Sequence, residues 1–319
     1  MLKTVKLQEL GIEKKSKGKL KPTISKVGII GGGYLGQEII RTVARHGLEV
    51  VFLDLSEDIL QYTIDRVSYE LDHAIEKWEL TVGEKKAILS RIKGTLDYED
   101  IADADIVIEA IKSRSRENMV DVRKKVFKKI EEKVDDSTII ATNSTTLVIT
   151  ELSSELNKPE RSVSFHFISP VHESKVVEVV CGLHTSKEAF EKVCEFARLI
   201  GKRVVRVLES PGIISTRLLA PLINEACGIL MEGVGTVEDI DTTLKLGFGF
   251  PLGPFEMADK YGVDRVVRWL DNLYAEFGNL RYKASPLLKK MVRANQIGVA
   301  TNHGFYKYDA NKVKIQEEK

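Results

Sequence analysis

A chain that places Gly31-Gly-Gly-Tyr-Leu-Gly36 directly after the apolar run Lys26-Val-Gly-Ile-Ile30 has few folds open to it. The run is short, rich in β-branched residues and without alternation, the pattern of a strand buried on both faces of a parallel sheet. From Gln37 to His46, Ile39, Ile40 and Val43 fall at helical spacing, and Gly47 ends the segment. Glu49-Val-Val-Phe-Leu-Asp54 then reads as a second strand closing on an acid. Strand, glycine turn, helix and strand within about 30 residues make a βαβ unit. In it Gly31, Gly33 and Gly36 spell G-x-G-x-x-G, which lets backbone N–H groups approach a pyrophosphate at a helix N-terminus. Asp54 is placed to accept hydrogen bonds from adenosine ribose hydroxyls and to repel a 2′-phosphate, which favours NAD over NADP. The competing reading is a tight turn in a sheet that binds nothing.

The same grammar continues. Ser56 to Glu79 reads as a long amphipathic helix on the stripe Ile59, Ile64, Val67, Leu71, Ile75 and Trp78, and a shorter helix runs from Glu84 to Ile92. Ala104–Glu109, Thr138–Ala141, Ser162–His166, Val176–Val180 and Arg203–Val207 read as strands, with a charged helix from Arg116 to Glu132. Beyond Ser210-Pro-Gly212 the segments Ile213–Glu232, Val237–Leu246, Gly262–Phe277 and Pro286–Ala294 read as helices with no strands between them. The predicted fold class is α/β: an N-terminal Rossmann-type, doubly wound, mainly parallel sheet with an all-helical C-terminal domain. The predicted organisation is a basic arm over 1–24, an NAD-binding domain over 25–207 and a helical substrate and dimerisation domain over 208–319.

Composition narrows the partners. The 319 residues carry 48 Lys+Arg against 47 Asp+Glu, so nothing global points to nucleic acid. No apolar run approaches the roughly 20 residues of a membrane span. The lysine-rich start lacks an apolar segment and arginine and carries Glu9 and Glu13, so it reads as neither a secretory signal nor a mitochondrial transit peptide. Cys181, Cys194 and Cys227 have no metal-ligand spacing, and their odd number suits reduced thiols in the cytoplasm. His46, His73, His172, His184 and His303 form no metal constellation, and no metal is expected. The run Lys124-Lys125, Lys128-Lys129 reads as a solvated helix face.

His166 ends one strand and Glu178 lies in the next, so both can project toward the cofactor cleft. An imidazole can take an alcohol proton near neutral pH, and a carboxylate beside it fixes the tautomer and stabilises the imidazolium. On spacing alone, a surface histidine and a solvated glutamate is the plainer reading.

Taken in order, a larger set of markers resembles the L-3-hydroxyacyl-CoA dehydrogenase family, in a short form like 3-hydroxybutyryl-CoA dehydrogenases. They are Val27–Gly36, Asp105-Ile-Val-Ile-Glu-Ala-Ile111, Ala141-Thr-Asn-Ser-Thr-Thr-Leu147, His166-Phe-Ile-Ser-Pro170 with Lys175-Val-Val-Glu-Val179, Ser210-Pro-Gly212, Asp239-Ile-Asp241, Gly253-Pro-Phe-Glu256 and Gly304-Phe-Tyr306. The resemblance runs from about Lys26 to Tyr308. It implies reversible NAD-dependent oxidation of a 3-hydroxyacyl-CoA to its 3-keto form, as in fatty acid metabolism, by a homodimer. His166 falls on the general base and Glu178 on its partner, with Thr145 and Thr216 at further catalytic positions. Gly31, Gly33, Tyr34, Leu35, Gly36, Asp54, Glu109 and Asn143 fall on the cofactor-binding positions.

The chain also departs from that pattern. Thr145 stands where the family has a serine, Ser169 and Thr216 where it has asparagines, Ser113 where a glutamate is common, and Gly298-Val-Ala300 replaces a basic Gly-Arg-Lys. A hydroxyl replaces one donor of an amide but not its reach or its two-ended geometry. On the helix expected beside a CoA, Asp65, Glu70, Asp72, Glu76 and Glu79 outnumber Arg66 and Lys77. That face either repels a triply phosphorylated ligand or points elsewhere into solvent. The alternatives are the same hydride chemistry on a free 3-hydroxy acid or a carrier-tethered 3-hydroxyacyl group, and a non-catalytic NAD-binding homologue.

Overall fold

The computed structural model describes residues 24–111, 116–310 and 312–315. The basic arm up to residue 23 and Ser113 lie outside them, as do the side chains of 116–118. Ile24, assigned to the arm, is fully buried in the sheet's core and belongs to the folded domain.

Eight strands are found: β1 (Lys26–Ile30), β2 (Glu49–Leu53), β3 (Ile92–Thr95), β4 (Ile106–Glu109), β5 (Ile139–Thr142), β6 (Ser162–Phe167), β7 (Val176–Cys181) and β8 (Arg203–Leu208). They form one sheet in the order β3-β2-β1-β4-β5-β6-β7-β8, with every neighbouring pair parallel except β6 and β7. The connection from Phe167 to Val176 is too short for a crossover helix, so β7 must turn back along β6. That reversal places His166 directly opposite Glu178 in the ladder.

Helices α1 (Tyr34–Arg45), α2 (Glu57–Glu76), α3 (Val82–Leu89), α4 (Arg116–Glu131), α5 (Ile149–Leu152) and α6 (Lys187–Leu199) accompany the sheet. Because β-strand side chains alternate, Val27 and Ile29 join the core under α1, α2 and α6 with Ile39, Val43, Val67 and Phe196. Ile30, Val51 and Val107 join the opposite core with Phe127, Ile130 and Leu152. Covering both faces explains the continuous apolar strands.

Several elements differ from the sequence expectation. The helix expected over Glu84–Ile92 is α3, set by a capping box between Thr81 and Glu84, and it ends at Leu89. Ile92 instead opens the edge strand β3. Helix α6 was not anticipated, although Ser186 accepts from Ala189 N as an ordinary N-cap.

The second domain is helical: α7 (Ser215–Met231), α8 (Val237–Thr242), α9 (Pro254–Tyr261), α10 (Val263–Phe277) and α11 (Pro286–Arg293). Helix α9 is also an addition, begun by Pro254 at its first turn with Glu256 reaching back to Gly253 N. The helix expected to reach Leu246 leaves α geometry after Thr242 and finishes as a π-helical turn over Thr243–Gly247. Its core gathers Ile223, Phe255, Leu270, Leu273 and Leu288.

Two buried carboxylates hold the C-terminal segment on this domain. Asp241 accepts from Phe255 N, Glu256 N and the Tyr306 hydroxyl. Asp259 accepts from Phe305 N, Tyr306 N and the Tyr308 hydroxyl. Phe305 packs on Phe255 with ring centroids 4.3 Å apart, so Gly304-Phe-Tyr306 serves docking. Burial pushes the Asp259 carboxyl up to about 6.

A folded-state value above the unfolded one favours the protonated native protein. The associated stability is therefore present at low pH and lost as pH rises through about 6. Between pH 7 and pH 5, urea unfolding of the wild type should gain about 1 kcal/mol relative to Asp259→Asn. Parallel curves for the two proteins would contradict the assignment.

Candidate active site

The glycine turn is built by contacts that tolerate no side chain. Gly31 adopts φ +109°, and a Cβ on Gly36 would lie 1.9 Å from the Gly31 carbonyl oxygen. A Cβ on Gly33, by contrast, would meet nothing within 4 Å. Gly33 is also the N-cap of α1 and offers no side chain to its first N–H groups. Open space above uncapped, converging N–H donors is a cradle that a pyrophosphate fits. Tyr34 is exposed beside it, whereas the Leu35 side chain packs into the core and leaves only its backbone for a ligand.

Asp54 stands at the end of β2, where its two oxygens accept from Gly32 N at 2.7 Å and Leu55 N at 2.8 Å. It therefore ties the second strand to the turn, with lone pairs left over for ribose hydroxyls. Thr63 on α2 completes the brace by donating to Gly32 O, a contribution that the sequence reading missed.

Glu109, expected as a cofactor contact, closes β4. It is fully buried, and its carboxylate is occupied by Ile111 N, the Thr142 hydroxyl and the Arg123 guanidinium at 3.0 Å. Its work is to join the ends of β4 and β5. Asn143, just past β5, commits its side-chain oxygen to Phe167 N at 2.8 Å and so fixes the end of β6.

At that end sit His166 and Glu178, 9% and 3% exposed. Nδ1 of His166 lies 2.9 Å from Oε2 of Glu178. A carboxylate only accepts, so Nδ1 carries the proton and Nε2 keeps its lone pair free. The Glu178 oxygens also receive the backbone N–H of Ser215 at 3.0 Å and its hydroxyl at 2.6 Å. Burial opposes the charged form of Glu178, but the bonds from His166 and Ser215 outweigh it and hold the carboxyl below the usual glutamate range.

Among the described residues, no hydrogen bond joins Thr145 or Thr216 to this pair. Thr145 lines a cleft of about 190 Å³ with Ser144, Ser164, Glu209, Ser210 and Ile213, and its carbonyl accepts from Gly212 N. Thr216 is buried, one residue beyond Ser215 on α7. Ser169 donates to Glu38 of α1 at 2.7 Å, so its hydroxyl is spent on bracing the segment after β6. Buried Lys202 donates to the carbonyls of Val171 and Ser174 and clamps the same segment.

A second cleft of about 410 Å³ runs between α1 and α2, lined by Tyr34, Glu38, Arg41, Arg66, Glu70 and His172. The acidic surplus on α2 is partly offset by neighbours. Glu70 pairs with Arg41 at 3.2 Å and Arg66 at 3.3 Å, Asp72 with Lys85, and Glu76 with His73. Among the described residues no cluster of His, Cys, Asp or Glu could hold a metal ion, and no helix is long and apolar enough to cross a membrane.

Comparison with known proteins agrees with this architecture. Residues 26–210 match the model of the 3-hydroxyacyl-CoA dehydrogenase NAD-binding domain, and residues 212–308 match that of the 3-hydroxyacyl-CoA dehydrogenase C-terminal domain. A 3-hydroxybutyryl-CoA dehydrogenase of Clostridioides difficile is 40% identical over 284 residues, 89% of this chain and 99% of the relative. Among solved structures, FadB2 of M. tuberculosis superimposes with a TM-score of 0.86 at 30% identity, covering 90% of this chain and 99% of that one. The (S)-3-hydroxybutyryl-CoA dehydrogenase of Ralstonia eutropha does so with a TM-score of 0.81 at 36% identity, again covering 90% and 99%. With both domain models matched in order across nearly all of the described residues, the chain belongs to the 3-hydroxyacyl-CoA dehydrogenase family.

Proposed function

We propose that this protein interconverts a short-chain L-3-hydroxyacyl-CoA and its 3-ketoacyl form with NAD, using His166 as general base. The observation that carries the reading is the buried His166–Glu178 contact at the carboxyl ends of β4–β6, on the same edge of the sheet as the glycine turn. Gly31–Gly36 would hold the cofactor's pyrophosphate and Asp54 its ribose, and NAD would supply the hydride acceptor or donor there. His166 takes the proton of the 3-hydroxyl at Nε2 during oxidation and returns it during reduction. Glu178 holds the ring by its Nδ1–H and balances the imidazolium. Asn143 and Thr145 border the same strand ends and are assigned to orienting cofactor and thioester. Thr216, buried behind Ser215, is assigned to shaping the wall.

Two further features belong to the proposal. Leu218, Val234, Leu246 and Phe248 of the helical domain are more than two-thirds exposed, which supports a homodimer through that domain. Cys181, Cys194 and Cys227 are all free, as in a cytoplasmic protein.

The deciding assay follows NADH consumption with acetoacetyl-CoA beside free 3-keto acids. Saturable turnover of the thioester, with the free acids inert, is the expected result; the reverse pattern defeats the CoA assignment. His166→Ala should lower kcat by about a hundredfold to ten-thousandfold while NADH affinity stays at the wild-type value. Near-full turnover would remove His166 from the chemistry. Gly36→Ala drives a Cβ into the Gly31 carbonyl, so fluorescence titration should show NADH binding about tenfold weaker or worse.

A further inference from the structure

We propose that Ser215 is a positioning residue for the His166–Glu178 pair, supplied by the helical domain. The inference rests on the function proposed above and concerns a residue outside the set that the sequence singled out. The family resemblance directs attention to Thr216, yet the hydroxyl that reaches Glu178 belongs to the residue before it.

The geometry is specific. Oε2 of Glu178 is shared by the Nδ1–H of His166 at 2.9 Å and the hydroxyl of Ser215 at 2.6 Å. Oε1 accepts the Ser215 backbone N–H at 3.0 Å. The last torsion of a glutamate side chain is broad and roughly two-fold, so one histidine contact does not fix the plane of the carboxylate. Two bonds from one residue, one to each oxygen, do fix it. The plane of the carboxylate in turn sets the direction in which Nε2 faces the cleft.

Ser215 opens α7, whose N-cap, Ile214, supplies no side-chain acceptor. Glu178 of β7 therefore takes the place of a cap, and the helix N-terminus favours its negative charge. The preceding turn aims the helix at the sheet: Gly212 holds φ +80°, its N–H binds the Thr145 carbonyl, and a Cβ there would lie 2.6 Å from Leu273. The orientation of the carboxylate plane is thus fixed only while α7 stays docked. Separation of the two domains would leave His166 with a carboxylate free to rotate.

The test compares wild type, Ser215→Ala and Ser215→Thr. Alanine keeps the backbone N–H and removes the hydroxyl; threonine keeps both. For Ser215→Ala the expected result is kcat about tenfold lower, the worth of one charge-assisted hydrogen bond. KM for acetoacetyl-CoA and NADH affinity should stay unchanged. The acidic limb of the pH profile for hydroxyacyl oxidation should move to higher pH, because Oε2 then serves the imidazolium alone. Ser215→Thr should restore both kcat and the limb.

The Nδ1 proton of His166, followed by nitrogen-15 NMR, should shift in Ser215→Ala and return in Ser215→Thr. Should the alanine protein fail to fold, Ser215→Cys, with a weak donor of similar shape, carries the same readouts. A folded Ser215→Ala or Ser215→Cys protein with wild-type kcat, pH limb and Nδ1 resonance overturns the role of Ser215 alone. Wild-type protein with no thioester turnover defeats the underlying functional reading, a distinct result.

Discussion

One carboxylate, that of Glu178, ties the two halves of this protein together. It is almost completely buried, yet it accepts three hydrogen bonds: one from β6, across an antiparallel pair, and two from the first residue of α7. Burying a charge without such partners costs several kcal/mol. The placement of α7 and the tautomer of His166 are therefore coupled through this one group. The geometry of the proposed catalytic pair and the docking of α7 share the same set of bonds.

Several other buried acids follow the same rule and divide into distinct jobs. Glu109 joins β4 to β5 through Thr142 and Arg123. Glu38 anchors Ser169 and the Val171 N–H to α1, and Asp54 anchors the glycine turn to β2. Each brings a segment near the cofactor cradle under the control of a rigid strand or helix. Preorganisation of this kind is what a hydride-transfer site requires, since proximity and orientation are worth more than any single contact.

Much of this was legible in the amino-acid order because it is local. The glycine turn, the strand ahead of it and the acid at Asp54 sit within one βαβ unit, where spacing alone reports the geometry. The pairing of His166 with Glu178 is a matter of register between two strands, and only the shortness of their connection hints at it. Ser215 carried no signal, since a serine opening a helix is ordinary. Its value comes from what lies across the domain junction. Glu109 shows the converse: an acid closing a strand reads as a ligand group, and only the structure reveals Arg123, more than a helical turn into α4, beside it. The short elements β3 and α9 are blurred because tertiary packing, rather than periodicity, fixes them, whereas α6 has a legible pattern, a Ser186 N-cap followed by Ala189, Val193, Phe196 and Ala197 on one buried face.

The stapling of the C-terminal segment bears on how the molecule is made. Asp241 and Asp259 sit in α8 and near the end of α9, but four of their six donors come from Phe305 to Tyr308, which supply all three that bind Asp259. A nascent chain still short of Phe305 holds these acids with their donors unmade. The helical domain therefore completes this network only once Phe305 to Tyr308 have left the ribosome.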